Sequence, residues 1–268
     1  MPFIETPTGV SLHYQETGSG RPVVFLHGWA MSGQVWRFQK ELENACRLIF
    51  LDQRGHGQSA PAAGYAVEDY AQDLAAFLEK LGLENAVLVG WSLGVQVALQ
   101  AFPALRDRLA ALVLVGGTAR FTTADGYPHG KPPVEVKGLG LRLRRDHQKT
   151  MGDFFKGMFA EQELDKAQYQ RIVHEIVMGG HSPDREAARE SLNILAAVDQ
   201  RDQLAQVDRP VLLLHGELDT ICPASASQYM AGRLPTATVD IFPGCGHAPF
   251  MTRPERFNEL IRSFIGTL

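Results

Sequence analysis

Cysteine is scarce in this 268-residue chain: Cys46, Cys222 and Cys245 form no C-x-x-C pair, and their odd number leaves one thiol unbridged under any scheme. That excludes a disulfide framework and suits a reducing compartment. Long apolar runs are missing too. No stretch approaches the roughly 20 residues that a spanning helix needs. Met1-Pro2-Phe3-Ile4-Glu5 has neither the charged start nor the apolar segment of a secretory signal. A cytoplasmic location with no membrane partner is therefore expected. Positive charge is not in excess: 26 Lys and Arg against 30 Asp and Glu leave a formal net charge of −4, which argues against a nucleic-acid partner. Internal repeats and low-complexity segments are absent. What remains, 45% hydrophobic, 9% aromatic and 21% charged residues, excludes disordered and collagen-like classes and provides for a sizeable core.

Apolar runs alternate with amphipathic segments from Val10 to Gly117, the pattern of a mostly parallel sheet flanked by helices. Strands are expected at 10–16, 22–26, 47–52, 86–90 and 111–116, with helices at 33–44, 66–81 and 93–102. From 119 to 198 the strand-like runs vanish, and charged helical segments are expected at 150–160, 163–178 and 184–198. The sheet pattern resumes at Pro210 and closes with a helix over 254–265. Residues 1–118 and 199–268 are thus expected to form one α/β core, with 119–198 as a helical cap over the strand ends.

Gly90-Trp91-Ser92-Leu93-Gly94 follows the apolar run Ala86-Val87-Leu88-Val89 and opens a helical segment. A serine where a strand turns directly into a helix takes a strained backbone with positive φ, and its hydroxyl stands clear of both elements. Ser92 is the candidate nucleophile. A serine hydroxyl needs a histidine to take its proton and a carboxylate to orient that histidine, in the chain order Ser, acid, His for this type of elbow. Val211-Leu212-Leu213-Leu214 reads as a buried strand and His215-Gly216-Glu217-Leu218-Asp219 as the loop leaving it. Asp219 is the preferred acid, with Glu217, Asp199 and Asp202 as competitors; Asp240 reads as an outward strand residue. The next strand, Thr238 to Phe242, leads into Pro243-Gly244-Cys245-Gly246-His247, so His247 is the preferred base. Cys245 has proximity but no elbow. The other histidines read as surface or locally satisfied residues.

Acyl chemistry also needs two backbone N–H donors for the oxyanion. The Leu93 amide comes with the elbow. Pro22 to Leu26 followed by His27-Gly28-Trp29 fits the second loop, making the Trp29 amide the other donor, with its indole walling an acyl pocket. His27 reads as a support for that loop, and Asp52 to Ser59 as a glycine-shaped loop bordering the site. No His and Cys spacing suggests a metal, and no organic cofactor is implied. Between 129 and 149, Lys131, Lys137, Arg142, Arg144, Arg145 and Lys149 face only Glu135 and Asp146. This reads either as a solvated face or as a docking surface for an acidic partner. Among Phe154, Phe155 and Phe159, some belong to the cap interior and one or two to the cleft.

Leu26-His27-Gly28-Trp29, Gly90-Trp91-Ser92-Leu93-Gly94, Gly216-Glu217-Leu218-Asp219 and Gly246-His247-Ala248-Pro249-Phe250 together resemble the α/β-hydrolase superfamily. Both tryptophans and the His-Ala-Pro-Phe ending resemble, within it, the esterases that demethylate pimeloyl-[acyl-carrier protein] methyl ester in biotin synthesis. The resemblance implies an α/β-hydrolase fold and a Ser92, Asp219, His247 triad. It also implies oxyanion donors at Trp29 and Leu93, substrate contacts at Trp29, Trp91 and Phe154, and a basic cap that receives an acyl-carrier protein. Val95 departs from the second glycine often found after the elbow, and the cap matches loosely. A broad-specificity small-molecule esterase, a C–C bond hydrolase and a haloperoxidase-type hydrolase share such a triad. A ligand-sensing receptor on the same fold is the reading from another class.

Overall fold

The computed structural model describes residues 2–181 and 183–268. Eight strands form one sheet: β1 (Phe3–Glu5), β2 (Ser11–Thr17), β3 (Arg21–Leu26), β4 (Cys46–Leu51), β5 (Ala86–Trp91), β6 (Leu109–Val115), β7 (Val211–Gly216) and β8 (Ala237–Phe242). Their order is β1-β2-β4-β3-β5-β6-β7-β8, with β1 and β2 antiparallel to their neighbours and every pair from β4 to β8 parallel. The central strands β5, β6 and β7 are near-continuous apolar runs because helices cover both faces of a parallel sheet. At the edge, β8 is only partly buried and carries Asp240, which pairs with Arg256 at 2.6 Å. A charge there discourages further strand pairing.

The helices are α1 (Val67–Lys80), α2 (Leu93–Leu105), α3 (Pro133–Arg145), α4 (His147–Lys156), α5 (Lys166–Ile172), α6 (Arg185–Ala197), α7 (Ser225–Ala231), α8 (Pro249–Thr252) and α9 (Pro254–Ile265). Helix α1 buries Tyr70, Leu74, Phe77 and Leu78 along one stripe. The expected helix at 33–44 is instead a succession of 3₁₀ turns over Gly33–Asn44. Helices α3 to α6 all lie between β6 and β7 in sequence. Helix α3 starts on a proline, and the other three start at side-chain caps: Asp146 accepts from Lys149 N, Asp165 from Gln168 N, and Asp184 from Glu186 N and Ala187 N. The cap at Asp165 is why the helix expected from 163 begins only at Lys166. It then passes into a π turn over Val173–Met178 rather than continuing as α-helix. Among the described residues no helix is long and apolar enough to cross a membrane.

Candidate active site

Ser92 lies between β5 and α2 with φ 55° and ψ −112°, a left-handed backbone that non-glycine residues rarely adopt. The glycines flanking it are required by space. A Cβ on Gly90 would sit 2.4 Å from Gly94 O, and one on Gly94 would sit 2.6 Å from Leu26 O. Larger residues would force strand and helix apart and flatten the turn. Leu93 opens the helix, so its amide has no carbonyl one turn back to bond. Trp29, just beyond β3, likewise donates no backbone hydrogen bond among the described residues, and Ala30 behind it has φ 59°.

The loop leaving β7 carries Asp219, and the loop leaving β8 carries His247. His247 Nδ1 lies 2.7 Å from Asp219 Oδ2, and both side chains are buried. Oδ1 of Asp219 accepts the amides of Ile221 at 2.8 Å and Cys222 at 2.9 Å. Burial opposes its ionisation, yet the charge interactions and hydrogen bonds with His247 and His215 hold the carboxyl below the ordinary range. Asp219 is thus an ionised partner for an imidazolium. Two of the competing acids are engaged elsewhere: Glu217 accepts Gly244 N, and Asp199 pairs with Arg120 and Arg201. No hydrogen bond joins the Ser92 hydroxyl to His247 among the described residues.

His215 is a component that sequence reasoning left as a local support. Its Nε2 lies 2.7 Å from Cys222 O and 3.2 Å from Asp219 Oδ2, and its Nδ1 is 2.7 Å from Ser227 Oγ. It therefore braces the turn that presents Asp219. The spacing of four residues between them is the only signal in the sequence. Trp91 braces the other partner: its indole N–H donates to His247 O at 2.9 Å, and its ring packs on the imidazole and on Phe250.

Behind the Trp29 loop lies a buried polar layer. His27 Nδ1 donates to Gly28 O at 2.8 Å, and its Nε2 accepts Gln53 N at 3.0 Å, which defines one neutral tautomer. Because carbonyl and N–H point oppositely across a trans peptide, tethering Gly28 O fixes the direction of the Trp29 N–H. Asp52 is a hub of the same layer, accepting from His13 Nδ1, Gly33 N and Gln58 N. No hydrogen bond or ion pair among the described residues joins it to Asp219 or His247.

The Trp29 indole donates to Ala188 O of α6 at 2.7 Å and meets Phe154 of α4 edge-on, with centroids 4.7 Å apart. Phe154 lines a cleft of about 500 Å³ with Phe121, Val136, Leu139, Thr220 and Ile221, the last two immediately following Asp219. Lys131 and Arg142 also line it. Phe155, the next residue of α4, is buried and lines a separate cleft of about 610 Å³ beside Ala30, Met31 and Ser32. Burial pushes the thiols of Cys222 and Cys245 up, so neither is a ready thiolate. Among the described residues no three His, Cys, Asp or Glu side chains gather as a metal cluster.

Strand, elbow and the two C-terminal loops define a hydrolase architecture, and comparison with known proteins agrees. Residues 21–254 match the alpha/beta hydrolase fold family, and the chain belongs to it. A pimeloyl-[acyl-carrier protein] methyl ester esterase of Nitrosomonas europaea is 36% identical over 92% of this chain and 96% of that protein. An esterase from Exiguobacterium antarcticum superposes with a TM-score of 0.91 at 30% identity, covering 98% of both chains. A bromoperoxidase from Bacillus anthracis gives 0.88 at 25% identity over 97% of each.

Proposed function

We propose that this esterase of the α/β-hydrolase family works through a Ser92, His247, Asp219 triad and an acyl-enzyme. Its proposed substrate is the methyl ester of a pimeloyl chain carried on acyl-carrier protein in the biotin pathway of the cytoplasm. The observation that carries the chemical reading is the buried 2.7 Å pairing of His247 with Asp219 on the loops beside a serine at φ 55°. His247 Nε2 accepts the Ser92 proton as Oγ attacks the ester carbonyl, and hydrogen bonds of this kind often tighten only with substrate in place. The Trp29 and Leu93 amides receive the oxyanion. The imidazolium, stabilised by Asp219, then protonates the departing methoxide. Water attacks the acyl carbon in turn, gives its proton to His247, and the free acid leaves as that proton returns to Ser92.

Residues 119–198 act as the cap, and the cleft bearing Phe154 and Ile221 takes the acyl chain. Trp29 backs that cleft through its edge-on contact with Phe154, while Trp91 serves the site by holding the His247 loop. The substrate assignment is supported by the Nitrosomonas relative, which bears this activity in its name, and by Arg142, Arg144 and Arg145 in the last turn of α3, which suit an acidic carrier. A broad-specificity esterase is the second reading, favoured by the similarity to the Exiguobacterium enzyme.

The test compares methyl pimeloyl-carrier protein with free methyl pimelate and a p-nitrophenyl ester, for the native chain and Ser92→Ala. Ser92→Ala is expected to abolish fluorophosphonate labelling and lower turnover by about 10⁴-fold or more on every ester. Unchanged turnover would remove the nucleophile assignment. A carrier-linked ester no better than the free one would leave the general esterase and remove the carrier.

A further inference from the structure

Glu163 is a buried carboxylate, 6% exposed, in the turn joining α4 to α5. It takes no part in the chemistry above, yet it is bonded to the backbone that carries the base. Its Oε2 accepts Ala160 N at 2.7 Å from its own turn and Gly246 N at 2.9 Å from the loop after β8. The next amide of that loop, His247 N, donates to Met158 O at 2.6 Å. Two successive amides of the histidine loop are therefore held by one short segment of the insert.

The fit is too close for any side chain at position 246. A Cβ there would lie 2.4 Å from Met158 O, 2.8 Å from Ala160 N and 3.1 Å from Glu163 Oε2. The turn itself is built for this reach. Gln162 has φ 64°, Glu163 N donates to Ala160 O, and the Asp165 cap delays α5 until Lys166, leaving Glu163 outside the helix to fold back. A non-glycine residue in the left-handed region costs about 1–3 kcal/mol and persists where surrounding contacts demand it.

We propose that Glu163 is a positioning residue for the general base, latching the His247 loop to the insert so that the imidazole is aligned only while the 158–163 turn is seated. The inference rests on the triad reading above. A carboxylate accepting two amides makes charge-assisted bonds, stronger than those a neutral acceptor would form. Its loss leaves Gly246 N without a partner on one side of the base. The other oxygen, Oε1, is buried with no N–H or O–H partner among the described residues, and the Cys245 thiol beside the carboxyl is a weak donor, so an amide nitrogen can replace it at the cost of at most that contact.

Glu163→Ala, Glu163→Gln, Glu163→Asp and Ser92→Ala are compared on a p-nitrophenyl ester, well below each variant's thermal midpoint. Displacement of a reacting group by about 1 Å can cost roughly 100-fold, so Glu163→Ala is expected to lower kcat by about 30-fold with KM within about twofold. Glu163→Gln, which keeps the accepting oxygen, is expected to return to within about threefold of the native kcat. A native kcat in folded Glu163→Ala, or equal losses in the Ala and Gln variants, overturns the proposal. Where the Ala variant does not fold, Glu163→Asp decides: it keeps the charge but falls short of Gly246, so kcat should drop about tenfold, and a native kcat overturns the latch. Turnover by Ser92→Ala would instead sink the triad and the latch with it. An inert Ser92→Ala beside an unimpaired Glu163→Ala sinks the latch alone.

Discussion

In β5, β6 and β7 nearly every side chain is buried, whereas α3 and α4 bury only two residues each and are delimited by polar caps and turns. Ser92 and Asp219 stand on loops anchored by the first kind of structure, His247 stands on the loop after the neighbouring edge strand β8, and Phe154 stands on the second kind. The contrast points to a division of labour. Close-packed strands have essentially one arrangement, which suits groups whose alignment sets a rate. Thinly packed helices reposition at small cost, which suits a wall that must fit a chain of methylenes. Changes at the sheet edge should therefore appear in kcat, and changes in the insert should appear mainly in KM. Glu163 is the proposed exception, because it bridges the two.

The strongest way to break this comparison is at the acid. Asp219→Asn is expected to lower kcat on a p-nitrophenyl ester by about 10⁴-fold, since the wrong imidazole tautomer is then favoured. Glu217→Gln should leave kcat near native, because Glu217 bonds Gly244 N on an exposed face of the loop. Similar losses in both variants would mean that the orienting carboxylate has been misplaced.

That pair also marks how far residue order alone reaches. The central strands were legible because each is an apolar run four to seven residues long between turn residues, and the elbow because its glycines are forced by contact with Leu26 O and Gly94 O. Asp219 and His247 followed from strand order. Strand β1, three residues and mostly exposed, carries no such pattern. Helix α3 was hidden by Gly138 and Gly140, which dilute helix propensity, and by a run of basic residues that reads equally well as a solvated loop. The 3₁₀ turns at Gly33–Asn44 share an amphipathic pattern with an α-helix, so the pattern does not separate them. His215 with Asp219 and Glu163 with Gly246 were not legible as functional pairs. Each joins common residue types through contacts that exist only after folding, and the second spans 83 positions.

A smaller effect separates the two regions by pH. The rings of His27 and His56 lie 5.1 Å apart, tilted to one another, and burial above all lowers both, His56 to about 3. The unfolded chain then binds protons that the folded chain refuses. Stability is full above the ordinary histidine value of 6.5 and falls as pH drops from there toward 3, with a slope approaching one proton for His56 and a further contribution of the same sign from His27. Asp219, whose carboxyl is lowered, contributes stability that is complete above 3.8 and is lost only below it, so the windows do not overlap between pH 4 and 6.5. Urea unfolding across that range should show His56→Asn with a slope reduced by about one proton. An unchanged slope would place the acid sensitivity elsewhere than in this layer.

The mildest change tests the insert directly. Phe154 meets Trp29 edge-on and lines the 500 Å³ cleft, so Phe154→Ala removes apolar wall without touching the triad or the backbone amides. KM for a long acyl ester is expected to rise about fivefold with kcat within about twofold, the signature of lost uniform binding. A short acetyl ester, which leaves that wall unfilled, should show little change. Phe155→Ala offers the contrast, since that ring is buried against the neighbouring cleft and packs on Phe159. It should lower stability and leave the long-to-short KM ratio near native. A fall in kcat alone for Phe154→Ala would mean that the insert helps align the reacting atoms at α4 as well as at Glu163, and that the boundary drawn between aligning and fitting regions lies too close to the sheet.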